Sequence, residues 1–217
     1  MKKVKRRPYR LQSRAKKQAA THEKLARAAF ELHSTIGPAQ TTVTAIAERA
    51  GVQRLTVYRH FPDQGAIFAA CSAYSFADDP PPDPEAWREL PPEIRLRDAL
   101  AQLYGYYRRK RRLLTNLHRD AAIPVVADAL ARRRGTLEKA ASIILESMGG
   151  GSAAKADRLL VASVRHALEF TTWQSLAESH GLSDEEVVEV MLNLFKALTA
   201  NRQVRTTTRR RARDTRS

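Results

Sequence analysis

The chain has 217 residues, 43% hydrophobic and 28% charged, a composition that suits one or two small domains with a proper core. Nine of its fifteen excess positive charges lie in residues 1–17 and six in residues 202–217, so the stretch between is formally neutral. A single cysteine, Cys71, excludes an intrachain disulfide, and the longest uncharged run, Gln64 to Ala77, is too short to span a bilayer.

Residues 1–17 are expected to form a disordered basic arm and residues 202–217 a disordered basic tail, because neither holds enough apolar surface to bury. In the arm, Arg6, Arg7 and Arg10 are candidates to follow the minor groove or backbone of a bound duplex. The alternative is a solubilising end without a partner. No apolar segment follows the basic start, so no secretory signal is read, and the expected location is the cytoplasm.

A first helix is expected from about His22 to Ile36, with Thr21 as N-cap and Leu25, Ala28, Ala29, Leu32 and Ile36 on one face. Gly37-Pro38 ends it. Two short helices follow, Val43–Ala50 and Arg54–His60, in the layout of a helix-turn-helix. Val43, Ile46 and Ala47 face inward on the first. Gly51 supplies the left-handed residue that ends it, and Val52, Leu55 and Val57 anchor the second. Gln53, Arg54, Thr56, Tyr58, Arg59 and His60 are then left pointing outward, a face of hydrogen-bond donors without acids. Asp63 caps the next helix, Gln64 to Phe76. Cys71 within it reads as a buried, inert thiol.

Residues 78–93 contain six of the ten prolines and read as a stiff connector of extended character. Helices are expected from Glu93 to about Lys110, from Val125 to Met148 and from Ala153 to Ser179, with Gly149–Gly151 as a linker. Gly181 stops the last of these, and Ser183-Asp184-Glu185-Glu186 forms a capping box for the final helix, with Leu182 and Val187 as its hydrophobic staple. That helix carries Val187, Val190, Met191, Leu194, Phe195 and Leu198 in a stripe broadened by Val188 and Leu192. Such width fits either central burial or a second face against another subunit, and the two-fold symmetry of helix-turn-helix readers favours a homodimer interface.

Tyr104, Tyr107, His118, His166, Phe170 and Trp173 are candidates to line a small-molecule cavity. His166, Phe170 and Trp173 share a helical face at i, i+4 and i+7, and ordinary core packing is the competing reading. Arg108–Arg112 and Arg132–Arg134 read as solvated faces, with an acidic ligand or negative partner as the alternative. No metal-ligand spacing, phosphate loop or catalytic constellation is visible, so neither a cofactor nor a metal is expected and the chain does not read as an enzyme.

The segment THEKLARAAFELHSTIGPAQTTVTAIAERAGVQRLTVYRHF resembles TetR-family transcriptional regulators in the order and spacing of Thr-x-x-x-Ile-Ala-x-x-Ala-Gly-Val and Tyr-x-His-Phe. The stretch FTTWQSLAESHGLSDEEVVEVMLNLFKAL is similar to their last two helices, less distinctively. The resemblance implies an all-α bacterial protein: a helix-turn-helix DNA-binding domain over 18–62, and a helical bundle over 63–201 for effector binding and dimerisation. It implies that Thr42 caps the second helix and touches a phosphate, that Tyr58 and His60 hold phosphates, and that Gln53, Arg54, Thr56 and Arg59 face bases or nearby backbone. Two departures stand out: Gln53 occupies a position where the family has a small capping residue, and Gln64-Gly65 replaces a usual Lys-Glu pair. The expected function is a ligand-responsive repressor on a palindromic double-stranded operator, near the nucleoid and away from membrane. The rival readings are a non-specific nucleic-acid-coating protein driven by the basic ends, and a small-molecule enzyme built on a helical bundle.

Overall fold

The computed structural model describes residues 6–148 and 158–198, with side chains from residue 12 onward. Every regular element among them is helical. We number the α-helices in chain order: α1 Arg6–Thr35, α2 Val43–Ala50, α3 Arg54–His60, α4 Gln64–Asp78, α5 Pro92–Arg119, α6 Pro124–Ser147, α7 Arg158–Leu168, α8 Phe170–Gln174, and α9 over residues 184–198. The chain divides into two compact units, Met1–Pro80 with Arg112–Leu130 and Pro81–Arg111 with Ala131–Ser217, instead of parting once at residue 62.

The first unit is built on α1, which begins at Arg6 and not near His22. Lys and Arg are good helix formers, no glycine interrupts the run, and Pro8 sits in the first turn, where its missing N–H costs nothing. The expected arm therefore continues the first helix. Thr21 is inside that helix, and its hydroxyl donates back to the Lys17 carbonyl at 2.8 Å instead of capping. Leu25, Ala28 and Ala29 are buried against Ile46, Ala47 and Val57, with Phe61, Ile67 and Cys71 completing the core. Burial pushes the Cys71 thiol up to about 12, which leaves no thiolate at neutral pH.

Local chemistry terminates the short helices. Thr42 Oγ1 accepts from the Ala45 amide at 3.1 Å, and Asp63 Oδ1 accepts from the Ala66 amide at 2.7 Å. Gly51 adopts φ 60°, ψ 45°, and a Schellman pair closes α2: the Gly51 amide donates to Glu48 and the Val52 amide to Ala47. Gly37, at φ 91°, holds a conformation that favours glycine, and a Cβ there would also displace the Arg119 side chain, whose Nη2 would lie 2.0 Å away. The last turn of α5 satisfies the end of α1: Asn116 donates to the His33 carbonyl at 2.9 Å and Arg119 to that of Ile36 at 2.8 Å. Asp120 accepts from the Ala39 amide at 2.9 Å.

In the second unit the proline-rich connector is partly regular: Pro84–Glu89 forms a 3-10 turn whose Trp87 is buried and donates to Gln102 at 3.1 Å. The tight turn is compatible with Pro84 because a proline is tolerated at the first position. Helix α5 runs on to Arg119, beyond the expected end near Lys110, since Arg111 to Thr115 contain no breaker. The expected single helix ending at Ser179 is broken at Glu169, which is extended (φ −73°, ψ 140°) between α7 and α8. Helix α8 closes in a π-turn over Ser175–Ser179, and Gly181 follows at φ 72°. The capping box forms as expected: the Ser183 amide donates to Glu186 at 2.8 Å and the Glu186 amide to Ser183 Oγ at 3.2 Å. Gly149–Gly151, the start expected at Ala153 and the basic tail lie outside the described residues.

Candidate nucleic-acid interface

Helix α3 presents one rigid face. Val57 is fully buried and half-buried Val52 packs under it, so the opposite side of α3 is fixed outward by the core. Gln53, Arg54, Tyr58 and Arg59 are exposed, and Thr56 and His60 are half-buried. The His60 ring meets that of His22 edge-on, with centroids 6.0 Å apart. No acid lies in α3. Gln53 makes no side-chain capping bond, so its amide remains available for a base edge. Thr42 is exposed, and its hydroxyl hydrogen is left over after Oγ1 accepts from Ala45.

One expectation fails on α3. Leu55, expected as an anchor, is 57% exposed on the outward face. In a seven-residue helix Val57 and Val52 suffice to hold the inner side, and Leu55 is rotated away by two residues from Val57. Leu55 thus adds an apolar group to an outward face otherwise made of hydrogen-bond donors. Arg6, Arg7 and Arg10 occupy the first turns of α1. Beside α2, Glu31 pairs with Arg27 at 2.9 Å and Arg49 at 2.6 Å, and these bonds, Arg27 first, hold its carboxyl below the ordinary value. The charge of Glu31 is thereby offset by two arginines.

The effector candidates do not gather into one site. Tyr104, Tyr107, Phe170 and Trp173 come together, all buried, with Tyr107 edge-on to Phe170 at 5.5 Å and Phe170 to Trp173 at 5.7 Å. His166 is exposed, because the break at Glu169 ends the helical phase that would have aligned it with Phe170 and Trp173. His118 belongs to the first unit. The break has a specific chemistry. The Thr172, Tyr104 and Tyr107 hydroxyls donate to the carbonyls of His166, Ala167 and Leu168, at 2.5, 2.8 and 2.5 Å. Three successive carbonyls at a helix end thus accept from side chains, the first of them also from the Glu169 amide at 3.2 Å. Burial pushes the Tyr107 hydroxyl up to about 12, outweighing Arg133 beside it. Trp173 donates to Asp184 at 2.8 Å, and Arg108 grips the same carboxylate with two bonds of 2.8 Å, so Arg108 is not simply solvated. Burial raises the Asp184 pKa, but these donors outweigh it and leave the carboxyl below its ordinary value.

The candidate dimer stripe is only partly covered. Val187, Met191 and Phe195 are buried, Val190 and Leu198 are half-buried, and Leu194 is 53% exposed. Leu159 on α7, 63% exposed, joins Leu194, Leu198 and His166 around an apolar groove of about 460 Å³. Among the described residues no cluster of three or more His, Cys, Asp or Glu could hold a metal ion, and no helix is long and apolar enough to cross a membrane.

Residues 25–71 match the family model of bacterial regulatory proteins, tetR family. No curated protein is significantly similar to the chain in sequence. The fold is similar to that of a TetR-like transcriptional regulator from Rhodococcus sp. RHA1, with 21% identity and a TM-score of 0.61 over 84% of this chain and 97% of that one. It is also similar to NalD, the secondary repressor of the MexAB-OprM multidrug efflux pump in Pseudomonas aeruginosa, with 21% identity and a TM-score of 0.55 over 82% and 96%.

Proposed function

From an amino-terminal helix-turn-helix of the bacterial tetR regulatory family, carried on an all-α chain with the fold of TetR-like regulators, we propose a sequence-specific transcriptional regulator. It acts in the cytoplasm as a homodimer that represses by occupying a near-palindromic operator, and a small-molecule effector bound in the second unit releases it. The observation that carries this reading is the outward face of α3, where Gln53, Arg54, Tyr58 and Arg59 stand exposed without an acid on a helix locked from behind by Val57. Two such helices placed about 34–36 Å apart would enter successive major grooves. Gln suits adenine and Arg guanine, each through paired bonds. Leu159 and Leu194, apolar and exposed around one groove, support a second copy as the cover of α7 and α9. The action of NalD as a repressor supports repression over activation.

Selection of binding sites from random duplex, followed by affinity for the selected and a scrambled duplex at fixed salt, tests the proposal. Specific binding should exceed non-specific binding by at least about 10³-fold. Equal affinities would instead favour a coating protein held by its basic ends. Removing residues 2–17 should weaken both duplexes several-fold and flatten the salt dependence, because Arg6, Arg7 and Arg10 then no longer reach phosphates.

A further inference from the structure

Arg133, on α6, inverts the usual habit of arginine, whose stem lies against apolar surface while its head reaches water. The residue as a whole is half-buried, yet its Nε and Nη2 atoms are buried and have no hydrogen-bond partner. The guanidinium lies over two rings of α5, 5.0 Å from the centroid of Tyr107 and 5.7 Å from that of Tyr106. Those contacts use the face of the planar group; the guanidinium also bonds to the Tyr107 hydroxyl, and the side of its edge that carries Nε and Nη2 is left without a partner. Nε–H and Nη2–H are the two donors that point in parallel along one edge, the geometry that matches both oxygens of a carboxylate. A buried cation with an unused fork is costly unless something completes it. The Tyr104 and Tyr107 oxygens nearby already donate to the Ala167 and Leu168 carbonyls. Arg132 and Arg134, its neighbours in sequence, are exposed and show no such arrangement.

We propose that the edge of Arg133, whose guanidinium is held over the Tyr106 and Tyr107 rings, is the recognition point in the second unit for the carboxylate of a small-molecule effector. The assignment rests on the reading of the chain as an effector-controlled regulator, and it names the chemical class of that effector. The side-on fork selects a planar, monoanionic oxyanion.

The full-length protein should be melted alone and with sodium benzoate, sodium octanoate, their neutral amides and inorganic phosphate. At a concentration about ten times its dissociation constant, at least one carboxylate should raise Tm by about 3–5 °C, its amide and phosphate doing neither. R133M, which keeps the stem and ring contact but removes the charge, should have an anion-free Tm equal to or above that of wild type and lose the carboxylate shift. R133K retains a cation without the fork and should lose most of the shift. A lower anion-free Tm for R133M overturns the proposal, because the guanidinium would then be structural. So does the absence of a carboxylate-specific shift in wild type, or an equal shift from amide or phosphate. Operator binding by anion-free R133M should match wild type. Loss of specific DNA binding in the wild type itself would instead defeat the regulator reading, whatever the anions do.

Discussion

Arg54 and Tyr58 stand four residues apart on α3 and are both exposed, yet their removal should be felt differently. A guanidinium forked onto a base edge discriminates by about 1–3 kcal/mol, so Arg54→Ala should relax preference at one base pair of the selected site. A phenolic hydroxyl on a phosphate carries no sequence information, and Tyr58→Phe should weaken every duplex by a similar factor. Competition titrations with single-base variants of the site distinguish the two outcomes. His33 controls a different property. It is 4% exposed, its ring 5.2 Å from that of Phe68, and burial holds its imidazole down to about 4 despite the opposing pull of Asp120. Between pH 6.5 and 4 the unfolded chain takes up a proton that the folded one refuses, so stability is full above 6.5 and falls as pH drops through this window. The loss should be on the order of 3 kcal/mol. Urea unfolding of His33→Phe against wild type across that range should show the difference, and parallel curves would refute it.

Helix α3 starts without a side-chain cap, since Gln53 makes no such bond. Gln53→Ser should therefore stabilise the first unit by about 0.5–1 kcal/mol in thermal unfolding while changing the base preference of the site. Stability gained with the preference unchanged would show that Gln53 reads nothing. Elements of this kind were readable in the sequence because their determinants are local. Thr42, Gly51, Asp63 and Ser183 act on amides within four residues, and each adopts the geometry its chemistry implies. The outward residues of α3 were readable for the same reason, except Leu55, because a helix of seven residues has too few turns to settle which apolar side chain faces in. Charge density along residues 6–17 argued against structure, but helix propensity extends α1 through them. The break at Glu169 is marked by neither glycine nor proline, and Thr172 is its one local hydroxyl donor among those named. Its hydroxyl donors Tyr104 and Tyr107 lie more than sixty positions upstream, beyond the reach of any periodicity. A still longer separation, 76 positions, hid Asp184 as the partner of Arg108.

For the molecule as a whole, the proposed assembly and the proposed control both concern the second unit. Leu194, 53% exposed beside the α7–α9 groove, is where a charge should prevent pairing of two copies. Leu194→Glu should sediment as a monomer and bind a full palindrome no better than a half-site, and a stable dimer would place the interface elsewhere. Tyr104, Tyr107 and Thr172 meanwhile join α5 to the interrupted backbone between α7 and α8. An interruption so tied is a fixed elbow and not a swivel: each phenol withdrawn frees one carbonyl to seek water and lends the backbone a mobility it lacks. Tyr107→Phe should therefore leave the protein folded while amide exchange at residues 169–173 accelerates selectively.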